Sequence, residues 1–413
     1  MDDEEQDDTG LEPEWRELLR DVTRRFGRRF AKGFMSGVAL HAGVKFVSAL
    51  MRNPFRENIP HTLRNLISTD SLRFASFLGL YPSVYELVKD LVQRYRLKKD
   101  GFNNTVAGGI AGLTIILEEP TRRRVFCLFA IARAFGALIS TLVARKKLPE
   151  IPYSETILFC LCCAFLVYCT ALNPQLLFTG YYYSVLKWSR DYTDKKLSIL
   201  FRSKGDRFLT CQEVGLHKEG CTTHALKDFI RSFPGFAKLY LPIHITPILV
   251  FRRKLLMERP LRVLKSLVKN VIFSTAFLAS MASLAKYVIC LLRNQMGRPP
   301  PLPAFIPAIG GAVCGLSVLF ERANRRKELS LFLIPHSLYA LYLWGLEKKL
   351  LRHIRFSSVV LFSVSMMSVM HAYEREPESL SLLINGVLKY FVGESSNVRL
   401  RPKRVKTFSE MLS

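Results

Sequence analysis

Four residues near the middle of the chain are of types that bind soft metals. Cys211, His217, Cys221 and His224, in "CQEVGLHKEGCTTH", offer two thiols and two imidazoles, donors that zinc accepts readily. Their spacing, Cys-x5-His-x3-Cys-x2-His, matches neither a finger nor a ribbon. The expectation is therefore a polar linker, with no metal and no cofactor. A second group suggests different chemistry. Lys45, Glu86, Arg133, His244, Lys286 and His336 each sit inside an apolar run. An ionisable group is costly there and points to a ligand or proton path. Lys45 can snorkel to an interface, whereas Arg133 and His336 have apolar neighbours on both sides. Together the six suggest a polar seam that binds or passes a polar or amphipathic molecule. Pro242, Pro247 and Pro335 are expected to open the helix backbone beside His244 and His336.

A third group is structural. "GGIAGLTIILEEPTRRR" (108–124) carries Gly108 and Gly112 four residues apart, then a run of arginines. "GAVCGLSVLFERANRRK" (311–327) repeats it with Gly311 and Gly315. Paired glycines on one helix face let another backbone approach closely, which is how helices pack in lipid. A nucleotide loop is excluded, because no GKS or GKT and no strand-borne GxGxxG is present. Arg122, Arg123, Arg325 and Arg326 read as contacts to headgroups or another anion. His224 and Asp228 in "HALKD" are one residue closer than the His/Asp pair of lipid acyltransferases, and no nucleophile–base set accompanies them, so an enzyme is not expected.

The elements that must hold these residues are apolar. The chain has 413 residues, 49% of them hydrophobic, and a formal net charge of +26. Apolar runs such as 33–50, 156–172 and 271–292 approach the length of a membrane span, and the basic residues lie between them. That pattern suits anionic lipid headgroups as partners and excludes nucleic acid, which needs a clustered basic face. The acidic start "MDDEEQDDTG" fits neither a secretory signal nor an Arg-rich presequence. Cysteines inside an apolar run (Cys160, Cys162, Cys163, Cys169) suit a reducing, intracellular setting.

The glycine segments match at a spacing of 203, and four flanking blocks match at 199 to 203. The expected fold is therefore all-α and polytopic, with two tandem homologous repeats of about five apolar helices each. The repeats run from 30 to 190 and from 229 to 391. A segment that is acidic and then basic (1–29) precedes them, a polar linker (191–228) joins them, and a basic tail (392–413) follows. The third segment of the first repeat reads as re-entrant, and its twin as long enough to cross. Basic loops throughout leave the orientation open.

"HKEGCTTHALKDFIRSF", "YLPIHITPILVFRRKLL", "AGGIAGLTIILEEPTRRR" and "ETILFC" together resemble the transmembrane protein 135 family. The glycine–arginine segment is more distantly similar to the mitochondrial inner-membrane translocase (Tim) family. The resemblance covers most of residues 30–393. It implies an integral protein of peroxisomes or mitochondria concerned with lipid and fatty-acid homeostasis, peroxisomal cholesterol handling and mitochondrial division. Implied partners are membrane lipids, a lipid or metabolite ligand, a peroxisomal import receptor and organelle-division proteins. The other reading is a scaffold or translocase-like channel component.

Overall fold

The computed structural model describes residues 13–52, 68–251 and 257–394. The acidic start, most of the basic tail and the side chain of Lys45 lie outside the described residues. Twelve helices matter here. They are α1 (Pro13–Arg52), α2 (Thr69–Arg96), α3 (Gly101–Gly112), α4 (Pro120–Ala144), α5 (Ser154–Leu172), α6 (Thr179–Ser189), α7 (Cys221–Phe251), α8 (Pro260–Met296), α9 (Phe305–Gly315), α10 (Ala323–Glu347), α11 (Ser357–Arg375) and α12 (Leu382–Phe391). The described residues contain no strand.

Helix boundaries follow local chemistry. Ser68 and Ser71 form a reciprocal capping box that starts α2. The Asp100 carboxylate accepts from the Phe102 and Asn103 amides and starts α3. Pro120 and Pro260 stand at the first helical position, where a missing N–H costs nothing. Gly297 closes α8 in the left-handed conformation. Tyr153 and Phe356, which precede α5 and α11, both have left-handed φ values of 57° and 63°.

Among the described residues, four helices are long and apolar enough to cross a membrane: α4, α5, α8 and residues 325–347 of α10. This makes the chain compatible with an integral membrane protein. Their outer faces leave large apolar side chains exposed, among them Phe135, Leu138, Ile157 and Leu161. The third segments are shorter. Each is a short α-helix of 12 or 11 residues followed by five residues of 3-10 helix, Leu113–Leu117 or Leu316–Phe320. The twin expected to be long enough to cross therefore has nearly the same length as its partner. The expected proline openings are also absent, because α7 is continuous through Pro242 and Pro247, and α10 through Pro335.

The chain forms two compact units. Unit one takes residues up to Pro149 together with those from Ile354 onward, and unit two takes Glu150–His353. Chain order and packing therefore part company. In unit one α11 lies against α3 and α4, and in unit two α5 lies against α9 and α10. Unit one is cored by Phe77, Tyr85, Ile115, Phe362 and Met370. Unit two has a core around Phe159, Phe277 and Val318. It has a second core in which Tyr192, Leu200 and Phe201 of the segment before α7 pack on Ile289 and Ile306. Residues 191–220 are thus a folded cap, where the sequence suggested a polar linker.

Candidate functional site

The four glycines lie where a neighbouring helix comes closest. A Cβ on Gly108 would stand 2.7 Å from Met370 Cγ, and one on Gly112 would stand 2.7 Å from Ser363 Cα, both on α11. On α9, a Cβ at Gly311 would be 2.5 Å from the Cys163 carbonyl oxygen, and one at Gly315 would be 2.6 Å from Cys160 Cα, both on α5. The short helices α3 and α9 are held there by absence of side chains, each against a helix distant in sequence.

Each of these helices ends on a buried carboxylate. Glu118 and Glu321 are 2% and 3% exposed. Arg122 Nη1 stands 3.7 Å from Glu118 Oε2, and Arg325 Nη1 stands 2.9 Å from Glu321 Oε2. Arg123 donates to the carbonyls of Ile116 and Glu118, and Arg326 to those of Leu319 and Glu321. The four arginines therefore have partners within the chain: Arg123 and Arg326 satisfy carbonyls left over at a helix end, and Arg122 and Arg325 pair with the carboxylates. Beside each carboxylate-bearing turn stands a histidine–serine pair. The Ser71 hydroxyl is 2.6 Å from His41 Nδ1, and the Ser274 hydroxyl is 3.1 Å from His244 Nε2. Arg325 donates to Ser274 at 2.6 Å, while Arg122 reaches the Asp70 carbonyl at 3.4 Å.

The residues read as one seam occupy separate neighbourhoods within each unit. Glu86 is ion-paired with Arg29 of α1. Arg133 donates to Ser381 at 2.8 Å. His336 is stacked against Tyr181 at 4.4 Å, with Phe178 and Phe332 close by. Lys286, only 7% exposed, is ion-paired with Asp228 at 2.6 Å and with Asp191 at 2.8 Å. Arg190 also reaches Asp228, at 3.1 Å. Burial pushes the Asp191 carboxyl up, but hydrogen bonds from Lys286 and His224 outweigh it and hold the group below its ordinary 3.8. This ion cluster lines a narrow cleft that also reaches His217, Cys221, Tyr287 and Cys290.

Sulfur ligands meet at the end of that cleft. Cys211 of the cap, Cys221 at the start of α7 and Cys290 of α8 bring their Sγ atoms within 3.1–3.9 Å of one another. His217 Nε2 is 3.4 Å from Cys290 Sγ. The His217 Nδ1–H donates to the Glu219 carbonyl at 2.7 Å, which leaves Nε2 as the free lone pair. Arg293 donates to Cys211 at 2.7 Å and Asn294 donates to Cys221 at 3.1 Å. The hydrogen bond from Cys290, with the Arg293 charge, draws the Cys211 thiol well below its ordinary value. His224 is not among these four. Its ring stacks on His217 at 4.5 Å and it pairs with Asp191 and Glu219. The sequence set Cys211, His217, Cys221 and His224 shares three members with this cluster and lacks Cys290, which lies 69 residues from Cys221 on another helix.

No family model matches the chain, and no solved structure matches its fold.

Proposed function

We propose that the chain is an internally duplicated membrane protein that binds, moves or organises a lipid or amphipathic metabolite, as a carrier or organiser and not as an enzyme. The reading places it in peroxisomal or mitochondrial membranes, in lipid and fatty-acid homeostasis. That setting rests on its resemblance to the transmembrane protein 135 family. The observation that carries the proposal is the pair of buried carboxylates, Glu118 and Glu321, at the ends of short glycine-packed helices. Each sits with an arginine beside a histidine–serine pair. Interrupted helices that end on polar groups are a recurring way of building a site at membrane depth.

The duplication is supported by local geometry at a constant spacing. His41 and His244, Ser71 and Ser274, Glu118 and Glu321, and Tyr153 and Phe356 are all 203 residues apart. On this reading the two repeats exchange their fifth helices, α5 and α11. The test is reconstitution. Purified protein in liposomes should retain lipid under native mass spectrometry and accelerate flux of a fluorescent fatty acid. Glu321→Gln should reduce that flux by about tenfold. Neither retention nor flux in the wild type, with clear crosslinks to other proteins, would establish the scaffold instead.

A further inference from the structure

We propose that Cys211, His217, Cys221 and Cys290 form a closed zinc site that staples the cap to α7 and α8. Their four ligand atoms all lie within 4.8 Å of one another. A tetrahedral zinc with bonds to sulfur near 2.3 Å separates its sulfurs by about 3.8 Å. Of the three sulfur separations here, 3.9 Å matches that edge, and 3.1 and 3.2 Å need only a small outward shift of Cys290 to reach it. The imidazole is oriented for the task, since its Nδ1–H is committed to the Glu219 carbonyl and Nε2 faces the sulfurs. A ring nitrogen fixed from behind by a carbonyl is the usual support of a ligating histidine.

A second observation points to the same ligand. Arg293 is 1% exposed, and among the described residues no carboxylate lies within ion-pairing distance of it. Its Nε and Nη1 have no hydrogen-bond partner, and its Nη2 donates to Cys211 Sγ. A buried guanidinium needs an anion close by. Three thiolates and a neutral imidazole around a divalent ion carry one net negative charge, which Arg293 balances. A disulfide that includes Cys211 would remove the thiolate that Arg293 bonds and leave the guanidinium without a counter-ion. Thiolate and imidazole donors favour zinc over magnesium or calcium. Four protein ligands leave no open position, so the site is structural. Loading releases protons from the three thiols as the metal–sulfur bonds form, with no change of oxidation state.

The site is independent of what the membrane helices carry. It is tested on full-length protein purified in detergent without chelator after zinc-supplemented growth. Elemental analysis should give about one zinc per chain. Cys290→Ser and Cys211→Ser should each lose bound zinc by about tenfold or more, while Cys127→Ser, in unit one, keeps it. Should the serine variants fail to fold, the wild type still decides. Exchange with Co2+ should give thiolate charge-transfer bands and intense tetrahedral d–d bands. Three thiols should resist alkylation until a chelator is added. Wild-type protein with no bound zinc and no such cobalt spectrum would overturn the proposal, as would a mapped disulfide between any two of the three cysteines.

Discussion

The crossing of α1 with α2 and the crossing of α7 with α8 carry ion pairs of opposite sense, the first helix supplying the cation in one and the anion in the other. On α1, Arg25 and Arg29 face Asp90 and Glu86 of α2. On α7, Asp228 stands 203 residues after Arg25 and faces Lys286 of α8. Ser83, the position 203 residues before Lys286, is a buried serine bonded to backbone carbonyls. One position is shared between the two crossings with its charge reversed, and its partners stand at different positions. Coverage also differs. The cap 191–220 encloses the second crossing, leaving the Lys286 and Asp228 side chains 9% and 4% exposed. The Arg25 and Asp90 side chains are 41% and 33% exposed. An uncovered pair adds little to stability, because water screens it. A covered pair adds little as a pair, yet losing one member strands a charge. The cap thus turns an ordinary surface interaction into an all-or-none one.

The sharpest test of this contrast removes one charge from each crossing. Lys286→Met should destabilise the protein by about 3–5 kcal/mol, against less than about 1 kcal/mol for Arg25→Met, read by denaturant titration in detergent. Equal losses would break the comparison. Adding Asp228→Leu to Lys286→Met should recover stability, since it removes a stranded carboxylate, and further loss would show that Asp228 has another role. Gly311→Ala should cost about 2–3 kcal/mol, because its Cβ meets the Cys163 carbonyl and the Ala164 backbone. Gly109→Ala should cost less, about 1–2 kcal/mol, since its nearest neighbours are Cγ and Sδ of the flexible Met367 side chain. The smallest effect is in pH. Asp191 is held below 3.8 in the folded state, so its contribution is full above the ordinary aspartate range. It is lost only as the pH falls through that depressed value. Asp191→Asn should lower stability at neutral pH and flatten the acid limb of a stability–pH curve.

The glycine seams were legible in sequence because small residues four apart, repeated, have few other uses in apolar helices. Their partners were not. Nothing in the runs at 154–172 or 357–375 marks the first for unit two or the second for unit one, since apolar faces are interchangeable at the level of hydropathy. The register of the flanking blocks is loosely marked for a related reason. The flanking blocks match at spacings from 199 to 203. The bonds at His41–Ser71 and His244–Ser274 both sit at 203. Three or four residues is close to one helical turn, so such a slip preserves the apolar face and escapes notice. The cysteine cluster was half legible. Cys211, His217 and Cys221 are local, whereas Cys290 arrives only through packing of α8 against α7 and the cap.

The packing of α11 against α3 has a consequence for biogenesis. The Ser363 hydroxyl bonds the Gly109 carbonyl across 254 residues of chain. At synthesis rates of about 5–20 residues per second, the glycine face of α3 waits roughly 10–50 s for its partner. Unit one cannot close before α11 emerges, and by then all of unit two has been made. The nascent protein therefore presents an open first unit during most of its translation. Such long-range closure folds slowly and exposes unfinished surfaces. Truncation anywhere before α11 should leave α1–α4 without a helix they need, so shortened chains should be cleared by quality control and not accumulate as half-proteins.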